Sequence, residues 1–379
     1  MRLSILLIFL SLAGAAQDSV YARRCIHQLT DRSFFGRGYV KNGLPKACKF
    51  IVAEIKKSKV LPLFGDQYTQ TFIHPVNTFP GACEVKLNGK KLKPGIDYIV
   101  SPSSAPAQGK CGLIKTDSIH FAGRTKRNSI IVTLRNKLTF SVSGEMNDFC
   151  GIELNKKTLT AAPEQIELAI KSRLVPNFES RNIGCFINGT AGSDSLLVFS
   201  AHYDHLGGMG KKTFFPGAND NASGTSMLLD LIRFYTTHPP RYKTVFLFFA
   251  GEEAGLLGSS FFVKNSPFDL KKIKFLINLD LLGTGNDGVM VVNGALLEKE
   301  FNILTAINTE KGLVKEVKKR GKAANSDHYW FSEAGVPCFF IYTLGGVTAY
   351  HDVMDIEKTL PLTDYPDVFK LLTAFVSAF

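Results

Sequence analysis

Four short apolar runs in the second half of the chain alternate with helical stretches, and each is bounded by glycine, proline or charged residues. They read SLLVFSA before His202, TVFLFFAG before Glu252, KFLINL before Asp280 and PCFFIYT shortly before His351. Runs of this length, rich in β-branched and aromatic residues, predict buried strands rather than helices. Strands that alternate with helices predict an α/β fold, here three α/β/α layers around a central, mostly parallel mixed sheet.

The N-terminal half of the chain has a different pattern. Residues from about 31 to 60 predict a helical segment, because apolar residues recur there at the spacing of one helix face. These residues are Ala47, Phe50, Ile51 and Ile55. From about 76 to 175, short alternating runs such as CEVKLNG and SIIVTL are separated by turn signals, which predicts a small β-rich insertion.

The first 16 residues, MRLSILLIFLSLAGAA, have the pattern of a secretory signal peptide, with one Arg, an apolar stretch and small residues at the end. A transmembrane anchor is the less favoured alternative, because a span needs ~20 apolar residues. Cleavage after Ala15, Ala16 or Ala22 fits the pattern. We therefore expect a secreted or periplasmic protein that has no stable membrane insertion after the signal is removed.

The composition predicts an ordered protein with a large core. Of the 379 residues, 45% are apolar and 11% are aromatic, which excludes a disordered chain. The formal net charge is +12, but the lysines are spread along the chain without a nucleic-acid-binding motif, so we expect no nucleic-acid partner. The densest basic run, Lys315–Lys322, predicts a helix end and a loop.

The seven cysteines do not form a metal or redox motif. None has C-x-x-C spacing, which argues against a thiolate zinc cluster and against a thioredoxin-like site. In an exported chain cysteines can form disulfides, and the odd number leaves at least one free. Cys185 and Cys338 lie in strand-like runs, which predicts small core residues.

Side chains of the kind that bind metal ions follow these strands. In an open α/β sheet, ligands gather beyond the carboxyl ends of the strands, so distant segments of this chain are expected to converge on one site. His202 can offer one imidazole nitrogen to a metal ion while the carboxylate of Asp204 holds the other nitrogen. Asp220, in the segment GANDNASG before an apolar helix, would ordinarily be a helix cap, but its two oxygens can also bridge two cations.

Two adjacent acidic residues, Glu252 and Glu253, directly follow a predicted buried strand. Buried carboxylates are costly unless they are paired or bind a metal ion. Because successive side chains of an extended segment point to different sides, one of them can bind a metal ion while the other serves as a general base. Asp280 and His351 supply further ligand groups after the next two strands.

The ordered motifs H-Y-D, G-A-N-D-N-A-S-G, G-E-E, N-L-D, S-D-H and Y-H make this chain resemble the co-catalytic dinuclear zinc aminopeptidases, whose fold is shared by glutaminyl cyclases and glutamate carboxypeptidases. The resemblance covers about residues 31–65 and 185–379. It implies a zinc peptidase domain at 22–75 and 185–379, while the β-rich insertion at 76–184 has no assigned role. It also implies a secreted aminopeptidase with two Zn²⁺ ions, which acts on peptides with a free N-terminus.

Carried over residue by residue, the resemblance implies that His202 and Asp280 hold one zinc ion and that Glu253 and His351 hold the other. Asp220 would bridge the two ions. Two further roles follow from the same motifs, with Glu252 as general base and proton shuttle and Tyr350 as a donor to the developing oxyanion.

Other motif residues have less definite roles. Ser326, Asp327 and His328 match a family motif near the pocket, without a settled role. His205 is expected either behind the ligands or on the surface.

Three other functions share this fold. A glutaminyl cyclase with one zinc ion would carry a Trp before the last His, where this chain has Tyr350. A carboxypeptidase of the related branch would carry Asp-Pro after the bridging position, which is absent here because Asn221 follows Asp220. A non-catalytic binding protein would have lost ligands or the base, whereas all six positions are filled here.

Overall fold

The structure is a computed structural model that describes residues 19–379, so the signal peptide predicted at residues 1–16 lies outside the described residues. Of the three candidate cleavage residues, Ala22 is described, and it is fully buried in the first helix. Cleavage after Ala22 would therefore remove part of a packed helix. In the described part of the chain, no helix combines the length and the apolar character that crossing a bilayer requires.

Residues 19–379 form seven α-helices, several short 3-10 turns and one π-helical turn at Ala218–Ser223. The α-helices are α1 (Ser19–Thr30), α2 (Gly43–Lys57), α3 (Gly224–Thr237), α4 (Leu257–Lys264), α5 (Glu298–Lys311), α6 (His328–Glu333) and α7 (Tyr365–Ser377). The 3-10 turns are Arg32–Arg37, Lys156–Thr158, Leu270–Lys272 and Glu357–Thr359.

The same residues form twenty strands. They are β1 (Leu61–Pro62), β2 (Thr69–Thr78), β3 (Cys83–Leu87), β4 (Lys90–Lys91), β5 (Tyr98–Val100), β6 (Ala107–Gly112), β7 (Ile114–Lys115), β8 (His120–Arg124), β9 (Ser129–Arg135), β10 (Phe149–Asn155), β11 (Gln165–Ile170), β12 (Arg173–Ile187), β13 (Leu196–His202), β14 (Gly208–Met209), β15 (Thr213–Phe214), β16 (Lys243–Phe249), β17 (Ile273–Leu279), β18 (Val289–Val292), β19 (Val317–Arg320) and β20 (Cys338–Thr343).

The largest sheet has nine strands, in the order β1-β12-β16-β13-β17-β20-β18-β19, with β2 also paired to β12. Its four central strands, β16, β13, β17 and β20, are parallel. Antiparallel pairs join them to β12 on one side and to β18 on the other. The central strands coincide with the four apolar runs, so the strand predictions are confirmed.

Alternate side chains of the central strands enter two separate cores. On β16, Phe246 and Phe248 belong to the core that contains α1, α2, α3, α5 and α7. Val245, Leu247 and Phe249 face the opposite core, to which α4 and α6 contribute. Because both faces of the sheet are covered by helices, the predicted three-layer α/β/α arrangement is confirmed.

Strands β3 to β11 form two smaller sheets, in the orders β4-β3-β11-β6 and β5-β10-β9-β8-β7, around a core of their own. We call residues 79–170, which contain these strands, the insertion module. The strands that lead into and out of it, β2 and β12, pair with each other and belong to the large sheet. The predicted β-rich insertion is thus present, and the limits of 76 and 184 stay a prediction.

Two local features differ from the sequence prediction. The basic run at Lys315–Lys322 is not a helix end and a loop, because it contains β19 at the edge of the large sheet. Its charges suit this place, since Lys318 and Lys319 make ion pairs and charged edge strands resist pairing with other chains. Helix α1 was not predicted.

The cysteines do not cross-link the fold. All seven are free, and Cys185 on β12 and Cys338 on β20 are buried, as predicted for core residues.

Candidate metal centre

The side chains that the sequence singles out meet at the carboxyl edge of the central strands. His202 is the last residue of β13, and Asp280 follows β17 directly. Glu253 follows β16, and His351 lies in the loop after β20. Asp220 lies in the π-helical turn that precedes α3, at a cis peptide bond with the next residue.

The two carboxylate oxygens of Asp220 face two different groups. Its Oδ1 lies 3.4 Å from His202 Nε2, and the same nitrogen is 3.3 Å from Asp280 Oδ2. Its Oδ2 lies 3.1 Å from His351 Nε2, which is also 3.1 Å from Glu253 Oε2. Each histidine nitrogen is thus flanked by one oxygen of the shared Asp220 and one oxygen of its own carboxylate.

These donors fit zinc ions. Nitrogen and oxygen atoms of His, Asp and Glu are groups that Zn²⁺ accepts. His202, Asp220 and Asp280 offer ligand atoms that all lie within 4.8 Å of one another, and so do His205, Asp220 and Glu253. Among residues 19–379, His202 Nε2 and Asp280 Oδ1 are buried without a hydrogen-bond partner. Buried polar atoms usually have a partner, so these two are available to a cation.

The Asp204 carboxylate accepts hydrogen bonds from the segment of Glu252 and Glu253 and lies farther from His202. Its carboxylate accepts hydrogen bonds from the backbone N–H groups of Glu252 and Glu253, at 3.2 and 3.3 Å, and from the Tyr39 hydroxyl, at 3.1 Å. His202 Nδ1 lies 3.3 Å from the backbone carbonyl oxygen of Asp204 and 3.7 Å from its carboxylate. Since a carbonyl only accepts, Nδ1 of the neutral ring carries the hydrogen and Nε2 is left for a metal ion.

The two adjacent glutamates differ in electrostatic environment. Burial and the nearby carboxylates of Glu253 and Asp327 outweigh His202 and raise the pKa of Glu252 well above its ordinary value. Burial also acts to raise the pKa of Glu253, but His351 and His205 outweigh it and lower that pKa to about 2. One carboxyl group is therefore suited to accept a proton, whereas its neighbour stays ionised.

Asp355, which the sequence analysis missed, holds the Asp220 turn. The buried carboxylate of Asp355 accepts hydrogen bonds from the backbone N–H groups of Asn219 and Asp220, at 2.8 and 3.0 Å. Gly217 has φ +63°, and a Cβ there would lie 2.2 Å from the Asp220 carbonyl oxygen, so glycine is required. The second acidic residue in the segment H-D-V-M-D was the available signal for Asp355.

Arg37 was also missed. Its side chain is fully buried, and its five N–H groups all donate to backbone carbonyls. The acceptors are Leu29, Tyr203, Pro216, Gly217 and Asp220, at distances from 2.7 to 3.1 Å. The guanidinium therefore joins the N-terminal helices to the turn that carries Asp220.

A chain of hydrogen bonds lies behind Asp280. Ser200 donates to Asn278, Asn278 donates to Ser326, and Ser326 donates to Asp280 Oδ2, at 2.8, 2.8 and 3.3 Å. The S-D-H motif thus contributes a positioning hydroxyl through Ser326. Its histidine, His328, is buried against Phe340, and burial lowers the pKa of this imidazole to about 4.

His205 and Tyr350 both lie beside the candidate ligands. His205 is fully buried, not on the surface, and its Nδ1 is 2.7 Å from Glu253 Oε1. The Tyr350 ring stacks on His351, with ring centroids 3.9 Å apart, and is 42% exposed. Burial of the hydroxyl and nearby carboxylates raise the pKa of Tyr350, so this group remains a hydrogen-bond donor.

Sequence comparison gives a match to a family described as Peptidase family M28 over residues 182–376, just over half of the chain. Aminopeptidase YwaD of Bacillus subtilis (strain 168) is 28% identical over 247 residues, which cover 62% of this chain and 53% of that protein. A probable leucine aminopeptidase of Arthroderma otae is 32% identical over 159 residues, 40% of this chain and 43% of that protein. The aligned part therefore spans about half the length of these relatives or less.

Solved structures share the fold along nearly the whole chain. BSAP, a zinc aminopeptidase from Bacillus subtilis, matches with a TM-score of 0.72 at 21% identity, covering 96% of this chain and 95% of that chain. A peptidase M28 precursor from Shewanella amazonensis SB2B matches with a TM-score of 0.71 at 13% identity, covering 96% and 93%. Because the coverage is nearly complete, the shared fold includes the insertion module.

Replacing Arg37 by Met is expected to lower the free energy of unfolding by roughly 3–5 kcal/mol, because buried carbonyls lose their donors. Urea denaturation of the metal-free protein measures this change. Arg135→Met is the matched control, since Arg135 makes a half-exposed ion pair with Glu153 and should cost less than about 1 kcal/mol. Equal effects of the two substitutions would contradict the role given to Arg37.

Zinc binding to the metal-free protein is expected to release protons. Burial opposes protonation of His351, but Glu253 and Asp220 raise its pKa to about 11, and Asp280 and Glu252 likewise raise the pKa of His202. Both rings therefore hold protons at neutral pH that a metal ion must displace, so zinc affinity should fall as pH falls, about tenfold per pH unit for each proton released.

Titration calorimetry of zinc binding at pH 7, in buffers with different ionisation enthalpies, measures the number of protons released. A binding enthalpy that is the same in every buffer would exclude the predicted release.

Proposed function

This chain belongs to peptidase family M28, and on that premise we propose that it is a zinc-dependent aminopeptidase that hydrolyses the N-terminal peptide bond of peptides. The observation that carries the proposal is the arrangement of Asp220, whose two oxygens face two separate pairs of a histidine and a carboxylate. This arrangement supports two zinc ions, with His202 and Asp280 holding one, Glu253 and His351 the other, and Asp220 bridging.

Bound zinc would supply positive charge that polarises the scissile carbonyl and lowers the pKa of a water molecule. The protein residues then have separate tasks. Glu252 takes the proton of the attacking water and delivers it to the leaving amine, as general base and then general acid. The raised pKa of its carboxyl group supports both steps, because such a group accepts a proton more readily than an ordinary carboxylate.

Asp204 positions this base. Its carboxylate accepts hydrogen bonds from the backbone N–H groups of Glu252 and Glu253 and so fixes this turn. From the turn, the Glu253 side chain would point to the metal ions and the Glu252 side chain to the substrate. Tyr350, partly exposed and stacked on His351, is placed to donate a hydrogen bond to the oxyanion that forms at the carbonyl. The substrate would approach from the side on which Tyr350 is exposed.

The charge of the site supports recognition of an amino terminus. Asp204, Asp220, Glu252, Glu253 and Asp280 form a mostly buried acidic group. A substrate ammonium group would be attracted to these carboxylates, whereas a carboxylate terminus would be repelled by them. This electrostatic preference favours an aminopeptidase over a carboxypeptidase on the same fold.

We also infer export, to the periplasm or the exterior, from the apolar N-terminal pattern described above. Edman sequencing of the mature protein tests this inference. A mature chain that begins at Met1 would contradict it.

Replacing Glu252 by Gln is expected to lower kcat by about 10²–10⁴-fold while the metal content stays at two ions, because a general base is lost and no ligand is. Glu253→Gln is the matched control, one residue away, and should lower metal content first. Turnover of an aminoacyl anilide and metal analysis of the same samples measure both effects. The reverse pattern would exchange the two roles, and one tightly bound zinc ion in the active wild-type protein would favour a cyclase.

Acetylation of a peptide's amino terminus is expected to abolish cleavage, because the acidic site then has no ammonium group to hold and orient. The test incubates the free and the acetylated forms of one peptide with the enzyme and follows the products by mass. Only the free form should lose residues, one at a time from its amino end. Equal cleavage of both forms, or release from the carboxyl end, would contradict the aminopeptidase assignment.

A further inference from the structure

The insertion module contacts the loop that carries His351. The backbone N–H of Phe140 donates to the His351 carbonyl at 2.9 Å, and Lys137 Nζ donates to the Thr348 carbonyl at 3.0 Å. On the other side of His351, Val353 packs against the module core, and a Cβ at Gly95 would lie 2.6 Å from it. The module thus holds this loop before, at and after the candidate ligand.

His351 needs such support because of its backbone conformation. Its φ is +53°, in the left-handed region that residues with a Cβ rarely adopt. A conformation of this kind persists only when surrounding contacts impose it. The hydrogen bond from Phe140 acts directly on the strained residue.

The ring of Phe140 reaches the second loop of the site. It stacks on Phe215, with centroids 4.4 Å apart and ring planes 2° from parallel, and both rings are buried. Phe215 belongs to the segment that leads into the turn of Asp220, and it packs in the module core together with Leu206 and Met209 of the same segment. Phe140 therefore touches the His351 loop through its backbone and the approach to Asp220 through its side chain.

The other candidate ligands have a different kind of support. His202 ends β13 and Asp280 follows β17, two neighbouring parallel strands at the centre of the large sheet. Their positions depend on strand pairing and on the hydrogen bonds behind Asp280. The two proposed metal positions are thus held unequally.

We propose that the insertion module is a positioning element for one metal position, the one formed by Glu253, His351 and Asp220, and that Phe140 is the residue through which it acts. This inference rests on the ligand roles proposed above. The stacked ring fixes the backbone N–H that donates to the His351 carbonyl, so loss of the Phe140 side chain should weaken zinc binding at that position by about 10–100-fold, the usual effect of groups that orient a metal ligand. The position formed by His202 and Asp280 should keep its affinity, because Arg37 holds the turn of the shared Asp220 from outside the module.

The test compares Phe140→Ala with Leu154→Ala, which removes a buried side chain from the same module core on β10. Zinc content is measured during stepwise competition with a chelator, which gives the affinity of each ion without reference to activity. Leu154→Ala should lose each of its two ions at about the same chelator concentration as the wild-type protein does. Phe140→Ala should lose one ion at a 10–100-fold lower concentration than the wild type and retain the other.

Combined substitutions identify the affected position. In a His351→Ala background, adding Phe140→Ala should not change the affinity of the remaining ion, whereas in an Asp280→Ala background it should weaken that ion. Val353→Ala offers a smaller change at another contact between the module and the His351 loop, and it should act in the same direction. If the wild type binds two ions and Phe140→Ala behaves like Leu154→Ala, the inference is wrong, whereas a wild type that does not bind two ions overturns the proposed function itself.

Discussion

The structure depends on the burial of negative charge at the carboxyl ends of the four central parallel strands. Asp204, Asp220, Glu253 and Asp280 lie close together, and burying carboxylates without compensation is strongly unfavourable. The fold compensates in several ways, with histidine nitrogens beside the carboxylates, backbone N–H groups donating to Asp204, and the fully buried guanidinium of Arg37 nearby. Two zinc ions complete this compensation in the function proposed here.

The same compensation separates the roles of neighbouring residues. Glu252 and Glu253 are adjacent in sequence, yet their pKa values shift in opposite directions. His205 and His351 lie 2.7 and 3.1 Å from the Glu253 carboxylate and lower its pKa, whereas at Glu252 burial and neighbouring carboxylates outweigh His202. A residue that can hold a proton and a residue that stays ionised therefore stand side by side. This division allows acid–base chemistry directly beside a metal ligand.

The support of the site combines local and distant elements. Strand pairing places His202 and Asp280, because each lies at the end of a central strand. The ligands on turns and loops, Asp220 and His351, rely on contacts from far along the chain, including Asp355 and the insertion module. An insertion that looks separable in the sequence is thus part of the structural support of the site.

The sequence by itself determined the central strands, the layered α/β fold and the candidate ligands. Buried strands have continuous apolar runs, and a polar residue that ends such a run must lie at the carboxyl end of its strand. His202 and Asp280 could therefore be identified without coordinates. Only the tertiary structure decided what holds the candidate ligands on turns and loops, Asp220 and His351. Arg37 and Phe140 act on backbone groups distant along the chain, and a backbone acceptor leaves no pattern in the sequence, so their roles emerge only when the chain has folded.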